Sequence, residues 1–219
     1  MGNRDFAVAR YTNDGSLDST FSGDGLQTTN VSGLSDQASG LAIQTDGKIV
    51  LAGSTTIEGS SDFAVVRYQT NGSLDTTFGG DGIVTTAIMA ANDVGRSVVI
   101  QPDGKIVVAG YSDNGASNDF AVVRYLSNGS LDTTFSEDGI KLISFSSVDD
   151  QGYSVGLQFD GKIVVGGYTG VTHRFAVTRL TTDGEVDITF ATLGKAILGI
   201  GNVDDIAYAL AIQPDGRIV

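Results

Sequence analysis

The chain has no cysteine, no tryptophan, two prolines, one histidine and three glutamates among 219 residues. Without cysteine it forms no disulfide and no thiolate metal site, although that absence identifies no compartment. The single histidine, His173, lies in a loop with no partner at a recognisable spacing and reads as a solvated loop residue. Ser-His-Asp and Cys-His mechanisms therefore lack their parts. Gly199-Ile200-Gly201 is too little for a phosphate loop. No apolar run approaches the ~20 residues of a membrane-spanning helix. Met1 to Phe6 carries no basic region followed by an apolar stretch, so no signal peptide is expected here.

What is abundant is aspartate. Of 26 acidic residues 23 are Asp, and nine of these precede glycine. Asp-Gly belongs to tight turns rather than helix surfaces, so the acidity follows largely from turn chemistry. The resulting net charge of −13 still repels phosphate backbones and argues against a nucleic-acid partner. It favours cations, basic surfaces or solubility.

The turns recur at a fixed period. Gln101-Pro102-Asp103-Gly104-Lys105-Ile106-Val107 has counterparts starting at Gln44, Gln158 and Gln213. Each predicts a hairpin whose three-residue loop ends on a glycine in the left-handed region. The string Phe6-Ala7-Val8-Ala9-Arg10-Tyr11 returns at Phe63, Phe120 and Phe175. One unit holds four apolar, β-branched runs: strand a (40–44), strand b (48–54), strand c (62–68) and strand d (83–87). Four strands in about 55 residues, repeated, is the pattern of a β-propeller blade. The expected fold is all-β, a single domain over 1–219 with four blades of four antiparallel strands. The blades cover about 31–88, 89–145, 146–200, and 201–219 plus 1–30. The last blade combines strands a and b from the C-terminal end with c and d from the N-terminal end, closing the ring and removing open edges. The short final strand b leaves a second arrangement open, in which two copies form a larger ring.

These motifs, QPDGKIV, DFAVVRY, NGSLDTTF and GDGIVTT, resemble the bacterial delta-sixty repeat family of β-propeller proteins, over essentially the whole chain. The resemblance implies a propeller and a secreted or cell-surface setting, and no reaction. The copy from Arg174 departs from it, with Arg174 for Asp62 and Ala191-Thr192-Leu193-Gly194 for Gly79-Gly80-Asp81-Gly82.

Three sets of side chains invite a chemical reading. Asp36, Asp93, Asp150 and Asp205 precede the four inner strands at one equivalent position. As a ring of carboxylates at the channel mouth they would call for Ca²⁺, which takes oxygen ligands. As loop caps they would bond backbone N–H groups instead. Asp14/Ser16/Asp18 and its copies Asn71/Ser73/Asp75, Asn128/Ser130/Asp132 and Asp183/Glu185/Asp187 alternate oxygens as a Ca²⁺ loop does, but lack a bidentate Glu and read as turns. Arg10, Arg67, Arg124 and Arg179 each stand eight residues before an Asp, the spacing expected of structural ion pairs. The strand-end Tyr68 and Tyr125, and Phe21, Phe78, Phe135 and Phe190, are expected to pack between blades.

Fourfold symmetry breaks inside the channel. Arg96, Tyr153 and Tyr208 occupy the position held by Ser39 in the first unit. The expected function is a non-enzymatic binding or scaffold module for a protein or glycan, as a monomer or homodimer, with calcium at the channel as the candidate cofactor. A metal-assisted hydrolase or lyase at the channel mouth, and a repeat fragment that assembles into a larger propeller, are the alternatives.

Overall fold

A computed structural model describes residues 3–201 and 204–219. It contains fourteen strands and no helix among those residues. Three sheets are four-stranded and antiparallel in chain order. The first holds β3 (Asp36–Ile43), β4 (Ile49–Ile57), β5 (Ser60–Tyr68) and β6 (Ile83–Thr86). The second holds β7 (Asp93–Ile100), β8 (Ile106–Asp113), β9 (Asn118–Tyr125) and β10 (Ile140–Ile143). The third holds β11 (Asp150–Leu157), β12 (Ile163–Thr169), β13 (Arg174–Leu180) and β14 (Lys195–Leu198). Before them, β1 (Phe6–Ala9) and β2 (Leu26–Thr29) make a two-stranded sheet.

The turn chemistry explains the a–b hairpins. Gly47, Gly104, Gly161 and Gly216 have φ between 81° and 84°, where a glycine ends the loop without steric cost. Each turn lysine or arginine sits beside its own Asp, as in the 3.2 Å Lys48–Asp46 and 2.6 Å Arg217–Asp215 contacts. The lysines also reach the Asp of the following excursion: Lys48 to Asp75 at 3.4 Å, Lys105 to Asp132 at 3.3 Å, Lys162 to Asp187 at 3.2 Å.

Apolar clusters lie between successive sheets. Val50, Phe63, Phe78, Val108, Val123 and Tyr125 share one; Phe120, Phe135, Val155, Ile163 and Ala176 belong to the next. Tyr68 and Tyr125 are fully buried, and their hydroxyls meet Thr29 and Thr86 of the preceding sheet at 2.6 and 2.8 Å. Phe21, Phe78 and Phe135 are buried as expected of interblade aromatics, while Phe190 is half-buried.

The strand c arginines pair as their spacing predicts, and also stitch neighbouring sheets. Arg67 Nε donates to Asp75 at 2.7 Å and Arg124 Nε to Asp132 at 2.8 Å. Their Nη1 atoms donate onward to the carbonyls of Ser127 and Thr182, and Arg10 makes the matching contact with Thr70. Each guanidinium lies over a phenylalanine, 4.7 Å from the Phe78 centroid for Arg67.

The structure departs from the expected ring at its ends. Among the described residues no backbone hydrogen bond joins β1 to the 204–219 segment. That segment packs on the third sheet instead: Ala207 N–H donates to Gly167 O at 3.2 Å, and Leu210 N–H to Ser154 Oγ at 3.0 Å. It folds back on itself through Ala211–Val219 hydrogen bonds of 2.9 and 3.0 Å. Only Ile218 and Val219 stand where a strand b would begin, whereas β4 pairs nine residues with β5. Two residues offer too few ladder bonds to fix a register.

Candidate functional site

The inner strands β3, β7 and β11 pack side by side and begin on the aspartates singled out above. Strand a starts four residues earlier than its apolar run suggests, because Asp36, Asp93 and Asp150 themselves pair with Thr55, Ser112 and Thr169. Those hydroxyls donate to the carboxylates. The remaining oxygen of each accepts a loop N–H: Val31 to Asp36 and Ile88 to Asp93 at 2.7 Å, Phe145 to Asp150 at 2.6 Å. Asp205 does the same for Ile200 at 2.8 Å. Asp36, Asp93 and Asp150 are at most 1% exposed. Among the described residues no three His, Cys, Asp or Glu side chains stand close enough to hold a metal ion. The expected carboxylate ring is thus not assembled, because each Asp serves the d–a loop of its own blade. The Asn71/Ser73/Asp75 series is likewise turn chemistry, with Ser73 N–H on Asn71 Oδ1 at 3.0 Å.

A different group does converge. Every inner strand carries a bulge, placed between Ala38 and Gly40, Gly95 and Ser97, and Gly152 and Ser154. The extra residue is Ser39, Arg96 or Tyr153, the position that varies between blades. A bulge frees a residue from the ladder and re-aims its side chain. The backbone crowding it creates demands glycine opposite: a Cβ on Gly110 would stand 1.9 Å from Val94 O. Ala207, bonded to Gly167 O, brings Tyr208 to the matching place beside the third sheet.

The result is a cationic–aromatic cluster. The Arg96 guanidinium carbon lies 5.5 Å from the Tyr111 centroid and 5.4 Å from that of Tyr153. Tyr153 meets Tyr208 edge-on at 5.2 Å and Tyr168 at 6.0 Å. Tyr168 meets His173 at 4.2 Å with the rings inclined at 60°, and His173 Nδ1 comes within 3.2 Å of Asp204 Oδ1. His173, read from sequence as a solvated loop residue, is half-buried with φ 39°. It also lines a cleft of about 320 Å³ with Ser117, Val148, Asp149 and Gly170.

Burial keeps the Tyr153 and Tyr168 phenols protonated. Burial raises Tyr168 to about 12, with Tyr153 and Asp149 adding to it. Burial also raises Tyr153, against the opposing pull of Arg96. Arg96 makes no ion pair among the described residues, and its Nε is buried without a hydrogen-bond partner. The arrangement can therefore offer a cation, neutral hydroxyls and an aromatic face.

Tyr111 and Tyr168 were not singled out from sequence. The signal was there: the residue after the bulge-facing glycine is Ser54 in the first blade, Tyr111 in the second and Tyr168 in the third. The cluster is thus confined to the second and third blades and the segment after them.

Stacked antiparallel sheets with side chains converging from adjacent inner strands define a β-propeller with a candidate ligand site. The chain belongs to the family described as domain of unknown function (DUF5122) beta-propeller, whose model matches residues 1–21, 44–78, 101–135 and 158–190. No curated protein matches it. Among solved structures, a protein of unknown function from Bacteroides caccae is 12% identical with a TM-score of 0.54, over 97% of this chain and 62% of that one. Virginiamycin B lyase from Staphylococcus aureus is 15% identical with a TM-score of 0.45, over 83% of this chain and 47% of the lyase. The chain thus spans about half to three-fifths of the length of these structures.

Proposed function

We propose that this chain is a non-enzymatic binding module in which the cluster around Arg96 and Tyr153 receives a small polar ligand or a segment of a glycan. The observation that carries the reading is Arg96. Acids outnumber bases two to one here, yet this arginine lies against two tyrosine rings with no carboxylate on it among the described residues. An unpaired cation among hydroxyls is what a binding site provides and a packing role does not require. We assign it no reaction. Calcium at the channel draws no support from the four inner-strand aspartates, whose oxygens serve their own loops. A secreted or cell-surface setting agrees with the motif resemblance and with an exposed aromatic face at Tyr208.

The test is an array of immobilised glycans and acidic small molecules probed with the native chain and with Tyr153→Ala, both checked by circular dichroism. Signals that disappear in the variant support the site. An identical profile for the two proteins overturns it.

A second reading concerns assembly. Leu41 and Ile43 on β3 are 52% and 65% exposed, while Val98 and Val155, the counterparts of Leu41, are 6%. Among the described residues only the edge of β1 reaches β3 on that side, and no strand covers it as β3 covers β7. Tyr11 is uncovered beside them, and at the opposite end of the arc so are Ile197 and Leu198. These two ends are complementary by the repeat itself, which favours a larger propeller completed by a further half-blade.

A further inference from the structure

We infer that the cluster selects a sugar acid, with a single carboxylate on Arg96 and the sugar ring against Tyr208 and Tyr153. This rests on the reading of the cluster as the ligand site, and adds the chemistry that the ligand must have.

Arg96 supplies the anion requirement. Of the thirteen Lys and Arg residues, nine have a carboxylate partner among the described residues, the strand c arginines and turn lysines included; Arg96, Arg4, Arg174 and Lys195 do not. Arg96 has Tyr111 and Tyr153 rings instead, and its one polar contact is a long one, Nη2 to Tyr111 Oη at 3.5 Å. A guanidinium against two aromatic rings keeps its planar fork oriented, and that fork matches a carboxylate with two parallel hydrogen bonds.

The aromatic part supplies the ring requirement. Tyr208 is 67% exposed, an unusual exposure for a residue that also meets Tyr153 at 5.2 Å. Its open ring, one side chain away from Arg96 across Tyr153, suits the C–H face of a pyranose, while the Tyr153 hydroxyl, already bonded to Gln151 Oε1 at 3.0 Å, adds a polar edge for ring hydroxyls.

The whole-molecule charge limits how much anion is welcome. A net charge of −13 opposes polyanions and dianions at long range, whereas one carboxylate delivered to one arginine is a local match. This favours a uronate unit over a phosphate ester.

Calorimetric titration of the native chain with glucuronate, glucose, acetate and inorganic phosphate tests the inference. Glucuronate should bind at least about tenfold tighter than each of the other three, since both the charged fork and the ring contribute. Arg96→Gln should reduce glucuronate to the level of glucose and leave the melting temperature unchanged. Tyr208→Ala should weaken glucuronate and leave acetate as it was. Phosphate or glucose binding as well as glucuronate, no detectable glucuronate binding at millimolar concentration, or an Arg96→Gln variant that binds normally would each overturn it. If one of these occurs while Tyr153→Ala still abolishes array signals, the site stands and only the sugar-acid assignment falls. If the array profile is also unchanged, both fall.

Discussion

Arg67 is 3% exposed and Asp75 is fully buried, and each satisfies the other in a place where neither could remain alone. Burial by itself would raise the Asp75 carboxyl. The Thr77 hydroxyl and N–H, with Arg67 and Lys48, outweigh it and hold the group at about 2; Asp132 is held at about 2 by Thr134, Arg124 and Lys105 in the same way. Thr189 likewise holds Asp187 well below the usual carboxylate range. A depressed native pKa means that the unfolded chain takes up protons first as pH falls. The stability from these pairs is therefore complete above the unfolded value of 3.8 and lost as pH drops towards 2. Asp75 and Asp132 should contribute about 2 kcal/mol each across that window, so urea midpoints measured from pH 5 to pH 2 should fall steeply below pH 4. At neutral pH, Asp75→Ala strands a buried guanidinium and should lose about 3 kcal/mol. A midpoint within error of the native one would show that Arg67 finds another partner.

At the scale of the element, the bulge on each inner strand sets the geometry of the site. It takes one residue out of the β7–β8 ladder, turns Arg96 towards Tyr111 and Tyr153, and forces β8 to carry glycine where the backbones close in. Gly110→Ala puts a methyl group 1.9 Å from Val94 O, and no flexible side chain is there to give way. The backbone must move, at a cost of about 3 kcal/mol or more by the range known for overpacked cores. The same substitution should weaken whatever ligand the cluster takes, because the re-aimed residue is displaced with the strand. Denaturant unfolding measures the first effect, and the ligand titration on the folded fraction measures the second.

For the whole molecule, the decisive feature is an arc whose two ends are uncovered. Leu41 and Tyr11 at one end, and Leu198 at the other, expose apolar side chains whose counterparts Val98, Val155, Tyr68, Tyr125 and Ile143 are buried where a neighbouring sheet exists. The chain already repeats this head-to-tail contact between its own sheets, so the same contact between copies needs no new surface. Sedimentation velocity should show larger species as concentration rises. Added salt, which screens the mutual repulsion of chains at −13, should promote them. Leu41→Glu should return the protein to monomer, and a monomer at all concentrations and salt levels would remove the idea.

The repeat period, the turn glycines, the four-strand unit and the Arg–Asp spacing were legible because each is written within a few dozen consecutive residues. Local backbone preference and side-chain periodicity act over that range. The sequence by itself therefore determined the blades and the partners of Arg67 and Arg124. It could not decide between capping and metal binding for Asp36, Asp93 and Asp150, since both use the same carboxylate. The strand register sets Thr55, Ser112 and Thr169 opposite them, and those hydroxyls donate to the carboxylates. Nor could the sequence place Tyr111, Tyr168 and His173 beside Arg96, Tyr153 and Tyr208. Those residues come from separate strands and loops, and they meet because bulged inner strands stack sheet upon sheet, a matter of long-range packing that no local pattern encodes.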